Sequence, residues 1–148
     1  MIAIDTNVLV YGEAVGSGSV QQKARSVIEA ALDEGVVLSA QVLAETFRVL
    51  VGKSRLAALD ARERIGRYQR SAVAIAPTQE RTLVLALEIA TVHRLQIFDA
   101  IILAAAAETD CRMLLSEDMQ DGFVWRGVTV VNPFAAVPHP LLADLLRH

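Results

Sequence analysis

A single cysteine and four prolines in 148 residues rule out a disulfide framework and a proline-rich scaffold. Cys111 cannot close an internal disulfide, and no histidine lies near it in sequence, so it reads as a small buried residue. The longest uninterrupted apolar run, Ala100 to Ala107, has eight residues, far short of a membrane span. The opening Met1-Ile2-Ala3-Ile4-Asp5 lacks a basic stretch and meets an aspartate too early for an export signal, so a reducing cytoplasm is the expected compartment. There is no glycine-rich phosphate loop, which leaves a nucleotide cofactor unindicated. His93, His139 and His148 have no zinc-like spacing and read as surface residues.

Charge is scarce in one sense only. Fourteen basic residues against seventeen acidic give −3, which excludes a uniformly basic coat for nucleic acid. The segment from Arg48 to Arg70 departs from that average, with seven basic residues against two acidic, or +5. Twelve of the fourteen basic residues are arginine, the side chain suited to forked phosphate contacts. Taken alone, this segment also reads as an ordinary solvated helix face.

What is abundant is apolar residues, 53% of the chain, enough to bury the core of one domain without staples. Five short apolar runs, at 1–4, 36–38, 72–76, 112–115 and 128–131, read as strands covered on both faces, as in a parallel sheet. Helical patterns separate them: 6–11, 20–34, a helix capped by Ser39 and running to about 51, an arginine-rich helix over 56–70, one capped by Thr78 over 79–93, and an alanine-rich helix over 98–109. Gly35 reads as a helix C-cap and Gly16-Ser17-Gly18-Ser19 as a loop. Trp125 is expected to cover a sheet edge. Alternating strands and helices predict βαβ units in a single α/β domain, with a core of about 1–134 and a surface tail over 135–148.

In such a sheet, ligands bind beyond the carboxyl ends of the strands. Acidic residues collect there: Asp5 after the first strand, Glu45 on the helix after the second, Asp99 opening the helix before the fourth, and Asp118 just after the fourth. Each has a structural reading. Asp5 and Asp99 suit helix capping, Glu45 suits a solvated pair with Arg48, and Asp118 suits a polar turn. Together, carboxylates at one pole repel unless a cation or protons offset them, and hard oxygen donors suit magnesium or manganese. Thr6, Asn7 and Ser116 stand beside the acids, where they can orient them by hydrogen bonds. Asp121 is a further carboxylate outside the main set, and Tyr11 lies near the first acid.

The runs Ile4-Asp5-Thr6-Asn7-Val8-Leu9, Val42-Leu43-Ala44-Glu45, Phe98-Asp99-Ala100-Ile101-Ile102-Leu103-Ala104 and Leu115-Ser116-Glu117-Asp118 together resemble PIN-domain nucleases, in particular the small VapC-type toxins. The resemblance spans Met1 to about Phe134. It implies a three-layer α/β/α sandwich around a parallel sheet of about five strands, and Mg²⁺- or Mn²⁺-dependent hydrolysis of RNA phosphodiesters. It carries over Asp5, Glu45, Asp99 and Asp118 as the catalytic acids, with Asp5 and Asp99 as direct metal ligands. It also implies a homodimer and a VapB-like antitoxin partner, within a type II toxin–antitoxin pair. Arg48, Arg64, Arg67 and Arg70 are the candidate RNA-binding residues, since the acidic centre itself repels RNA. Two other readings fit the same pattern: a catalytically silent, nucleic-acid-binding or regulatory PIN-like domain, and a small magnesium-dependent phosphatase. The presence of all four acids argues against the silent form.

Overall fold

The structure, a computed structural model, describes residues 1–13 and 18–147. Its centre is a six-stranded sheet in the order β3-β2-β1-β4-β6-β5. The strands are β1 (Ile2–Ile4), β2 (Val36–Ser39), β3 (Ala74–Ala76), β4 (Met113–Leu115), β5 (Val124–Trp125) and β6 (Val128–Val131). All neighbouring pairs are parallel except β5 with β6, which is antiparallel. Every residue of β1, β2 and β4 is buried, as expected of parallel strands covered on both faces.

β5 departs from the five-strand expectation. It pairs through the two-residue turn Arg126-Gly127, whose positive φ angles of +44° and +85° are those of a tight hairpin turn that follows the right-handed twist of the flanking strands. Trp125 does lie at the sheet edge, as part of this strand, and is 7% exposed.

Seven helices lie among the described residues: α1 (Thr6–Glu13), α2 (Ser19–Glu34), α3 (Ala40–Gly52), α4 (Ala58–Ser71), α5 (Glu80–His93), α6 (Ile97–Glu108) and α7 (Pro140–Leu145). Helix α2 buries one stripe, Ala24, Val27, Ile28 and Ala31, and contacts β1 and β2. It ends where expected: Gly35 takes φ +97° and donates its N–H to Leu32 O. Gly12 permits the close approach of α1 to α2, because a Cβ there would come within 2.6 Å of Ile28 Cδ1.

Helix α6 is apolar all round, with Ala100 through Ala106 buried. It lies against β2, β4 and β6 and is roofed by α5, so neither side meets water. Small residues on both partners allow this approach; Ala3 and Ala76 share one small void with Ala105 and Ala106. The arrangement is an α/β/α sandwich.

Three expectations need correction. The arginine-rich helix α4 starts at Ala58, two residues later than expected. Helix α5 is capped by Gln79 rather than Thr78: the Gln79 side chain and Thr82 Oγ1 form a reciprocal capping box. The segment after Phe134 is more than a surface tail, because α7 sends Leu142 and Leu145 into the core at 0% and 1% exposure. His139 caps it by accepting the Leu141 N–H, and Pro140 occupies a position where its missing donor costs nothing. Of the expected loop, Gly16 and Ser17 lie outside the described residues, as does His148.

Candidate active site

The four acids converge at the carboxyl ends of β1 and β4. Asp5 leaves β1 and is tied to β4 by its backbone, Asp5 N to Leu115 O at 2.9 Å. Its side chain is buried, at 4% exposure. Oδ2 accepts from Ser116 Oγ at 2.7 Å, and Oδ1 accepts from Thr6 N at 2.6 Å. Ser116 is itself fully buried, at 0%.

The neighbouring acids are positioned by the same short segment. Thr6 Oγ1 donates to Glu45 Oε2 at 3.0 Å, joining α1 to α3. Asn7 Nδ2 donates to Asp118 Oδ2 at 3.0 Å, joining α1 to the turn after β4. Thr6, Asn7 and Ser116 thus each hold one carboxylate. Gln41, whose role the sequence did not suggest, donates to Glu45 Oε1 at 3.5 Å and to Phe98 O at 3.4 Å, tying α3 to the helix that carries Asp99.

Asp99 is not the cap of its own helix. Gln96 Oε1 accepts from both Phe98 N and Asp99 N, at 2.9 and 3.0 Å, leaving the Asp99 carboxylate available. Glu45 makes no ion pair with Arg48 among the described residues; its partners are Thr6 and Gln41.

Electrostatics separates this pole from the rest of the surface. Ion pairs elsewhere engage Glu13, Glu34, Glu88, Glu108 and Asp144. None of the four clustered acids has a cationic partner among the described residues. Burial raises the Asp5 pKa from 3.8 to about 6, against the opposing hydrogen bonds from Ser116 and Thr6, and with further upward pressure from Asp99 and Asp118. Burial likewise raises Asp99, with repulsion from Asp118 and Glu45 adding to it. No buried side-chain nitrogen or oxygen among the described residues lacks a hydrogen-bond partner. The deficit at this pole is therefore in charge alone.

A divalent ion is the natural counter-charge, and the donors suit it. They are hard carboxylate oxygens, oriented by hydroxyl, amide and backbone donors. Among the described residues, no group of three His, Cys, Asp or Glu side chains is arranged to hold an ion by itself. That accords with magnesium chemistry, in which one or two carboxylates suffice and waters complete the shell. Asp5 and Asp99 are the two acids of the cluster whose pKa is raised, by burial first and by the neighbouring carboxylates after it.

Other expected residues fall outside the cluster. Asp121 Oδ1 accepts from Asn132 N at 2.7 Å, which makes it a turn residue. Tyr11 packs edge-on against Phe134, and its hydrogen bond to Glu117 holds the phenol above its usual range. His93 is exposed against Phe123, and Cys111 is buried. Arg64 and Arg67 are occupied at the far end of α1, where Arg64 Nη1 lies 2.8 Å from Glu13 Oε2 and Arg67 lies 3.6 Å from it. Arg48 and Arg70 are exposed and make no ion pair among the described residues.

The family model described as PIN domain matches residues 2–120. Among solved structures, the chain is similar to FitAcB from Neisseria gonorrhoeae, at 22% identity and TM-score 0.67, covering 90% of this chain and 99% of that one. It is also similar to a toxin–antitoxin complex from Klebsiella pneumoniae, at 21% identity and TM-score 0.64, covering 90% and 98%. A third is Mycobacterium tuberculosis VapC20, a sarcin–ricin-loop-cleaving toxin, at 18% identity and TM-score 0.62, covering 77% and 87%. Among curated proteins, none matches this chain.

Proposed function

The chain belongs to the PIN-domain family, and from that premise we propose that it is a metal-dependent endoribonuclease, the toxin of a type II toxin–antitoxin pair. The observation that carries the reading is the Asp5 carboxylate, buried, raised to about 6, and set among Asp99, Glu45 and Asp118 with no cation to offset them. A protein that needed these acids only for structure would pair them with guanidinium or ammonium groups, as it does elsewhere.

Asp5 and Asp99 would hold a magnesium or manganese ion, whose chemistry would be to orient water and offset charge developing on the phosphodiester. Ser116 and the Thr6 amide keep both Asp5 oxygens aimed. Glu45, steadied by Thr6 and Gln41, and Asp118, steadied by Asn7, accept hydrogen bonds from the attacking water or complete a second cation site. Arg48 and Arg70 carry phosphates that flank the cleavage point, because Arg64 and Arg67 are engaged with Glu13. The likeness to a toxin–antitoxin complex supports an antitoxin partner, and the same reading makes the chain a homodimer. No helix among the described residues is long and apolar enough to cross a membrane, which fits a ribonuclease of the cytoplasm.

The test is a substrate panel of labelled RNA, single-stranded DNA and a chromogenic phosphate ester, each with and without manganese. RNA cleavage that requires the ion is the expected result. Turnover of the ester with no preference for polymer overturns the nuclease reading, and binding of RNA without hydrolysis points to a silent domain. Growth arrest on expression, relieved by a co-expressed antitoxin and absent in Asp5→Asn, tests the toxin role separately.

A further inference from the structure

The sequence holds seven aromatic side chains, four phenylalanines, two tyrosines and one tryptophan, and the fold engages five of them. Tyr11 and Phe134 meet edge to face, and Phe123 meets His93. Tyr68 donates to Glu13, and Trp125 is buried with the Arg126 guanidinium over its ring. Phe47 and Phe98 remain, 36% and 52% exposed. They are not equivalent. Phe47 lies two residues beyond Glu45, about 200° around α3, and so on another side of that helix. Phe98 is bonded directly to Asp99 in the first turn of α6.

The Phe98 backbone is held from both sides. Its N–H donates to Gln96 Oε1 at 2.9 Å, and its carbonyl accepts from Gln41 Nε2 at 3.4 Å. Leu95 and Ile97 beside it pack against the core, whereas the Phe98 ring stays at the surface. Gln41, Glu45 and Arg48 recur at i, i+4 and i+7 along one face of α3. The Phe98 contact is at the Gln41 end of that face and the exposed Arg48 at the other. Those two positions are about 10 Å apart along the helix axis, with the Glu45 carboxylate between them.

The clustered acids repel phosphate, so a polynucleotide crossing this pole gains little from backbone contacts there. A neutral π-face offers a grip that the negative field does not oppose. Unpaired bases stack on aromatic rings, whatever their hydrogen-bonding edges. We infer that the Phe98 ring is the stacking platform for an unpaired RNA base beside the cleaved bond, with Arg48 taking a phosphate across the acids. Phe98 thereby sets which base is preferred at that position, because purine rings offer more stacking area than pyrimidines.

This rests on the ribonuclease reading for its substrate, and the experiment separates the two. A pool of single-stranded RNA oligonucleotides of randomised sequence is cleaved in manganese, and the product ends are sequenced. The wild type should favour purines at one position flanking the cut. Phe98→Leu, which keeps apolar bulk and removes the π-face, should lose that preference and lower kcat/KM by about 5- to 150-fold. Phe98→Trp should keep both, and Phe98→Gln serves if Phe98→Leu fails to fold. In chelator, RNA containing 2-aminopurine should be quenched on binding the wild type and not on binding Phe98→Leu. Sedimentation of Phe98→Leu should match the wild type. An unchanged base distribution and kcat/KM in Phe98→Leu overturn the platform and leave the nuclease standing. Weaker cleavage with an altered oligomeric state and an unaltered base distribution assigns the ring to a protein contact and also overturns it. A wild type that binds and quenches without cleaving overturns the nuclease and keeps the stacking contact. A wild type that neither binds nor cleaves RNA overturns both.

Discussion

Asp5 and Glu13 bracket the same eight-residue helix, about 12 Å apart along its axis, and their surroundings are opposite. Glu13 receives Arg64, Arg67 and the Tyr68 hydroxyl, the last at 2.8 Å. Its side chain is 12% exposed, with its charge fully answered. Asp5 receives only neutral donors and is surrounded by other acids. Both carboxylates are nearly buried and both are hydrogen-bonded. The difference is whether the fold supplies a cation, and that separates a structural clamp from an acidic pole whose charge is left unanswered.

The sharpest way to break the comparison is at Asp5. Asp5→Asn keeps a similar shape and should lower RNA cleavage by roughly a thousandfold or more, as for loss of an essential catalytic group. It should also stabilise the chain at neutral pH. With a folded pKa of about 6 against an ordinary 3.8, Asp5 costs nothing below about pH 4, and stability is lost as pH rises from there through 6. The full penalty is on the order of 3 kcal/mol. In chelator, Asp5→Asn should therefore melt above the wild type at pH 7, with the gap closing toward pH 4; equal melting temperatures at pH 7 would remove the claim of unmet charge.

Cation binding is next in size. Manganese should raise the melting temperature of the wild type, and calorimetry should show affinity reduced by about 10- to 100-fold in Asp99→Asn. Equal affinity would exclude Asp99 as a ligand. At the other end of α1, Glu13→Gln should leave manganese binding unchanged and destabilise the chain by about 1–3 kcal/mol in urea, because two guanidinium groups lose their partner. The smallest effect is expected from Arg48→Gln with Arg70→Gln: no change in stability, weaker RNA binding, and a salt slope reduced by about 0.7 per lost contact. An unchanged slope would route the RNA elsewhere.

Much of this was legible beforehand, for physical reasons. The strands of a covered parallel sheet are continuous apolar runs, so β1, β2, β4 and β6 stood out, and so did β3, although Ala74 and Ile75 are exposed at the sheet edge rather than covered on both faces. β5 did not, because two alternating residues joined by Arg126-Gly127 lack the asparagine or aspartate that marks such turns. α7 was hidden by prolines that proved to start a helix. The four acids were visible because parallel strands bring their carboxyl ends to one edge. The clamp at Glu13 was not: its partner Arg64 is 51 residues away, and nothing local distinguishes a paired arginine from a free one. The same blindness applied to Gln41, on an expected helix, and to Gln96, which fell between two expected helices: neither contact with Phe98 could be read from the sequence.

The bond between Ser116 and Asp5 spans 111 residues of chain. β1 sits in the middle of the sheet, yet its neighbour β4 is among the last strands to leave the ribosome. At translation rates of about 5–20 residues per second, roughly 6–20 s pass between synthesis of the first acid and synthesis of the serine that locks it. Throughout that interval the nascent polypeptide carries Asp5 without its β4 anchor. A cell making this protein thus has a built-in delay, set by topology alone, before any newly made copy can complete its acidic pole.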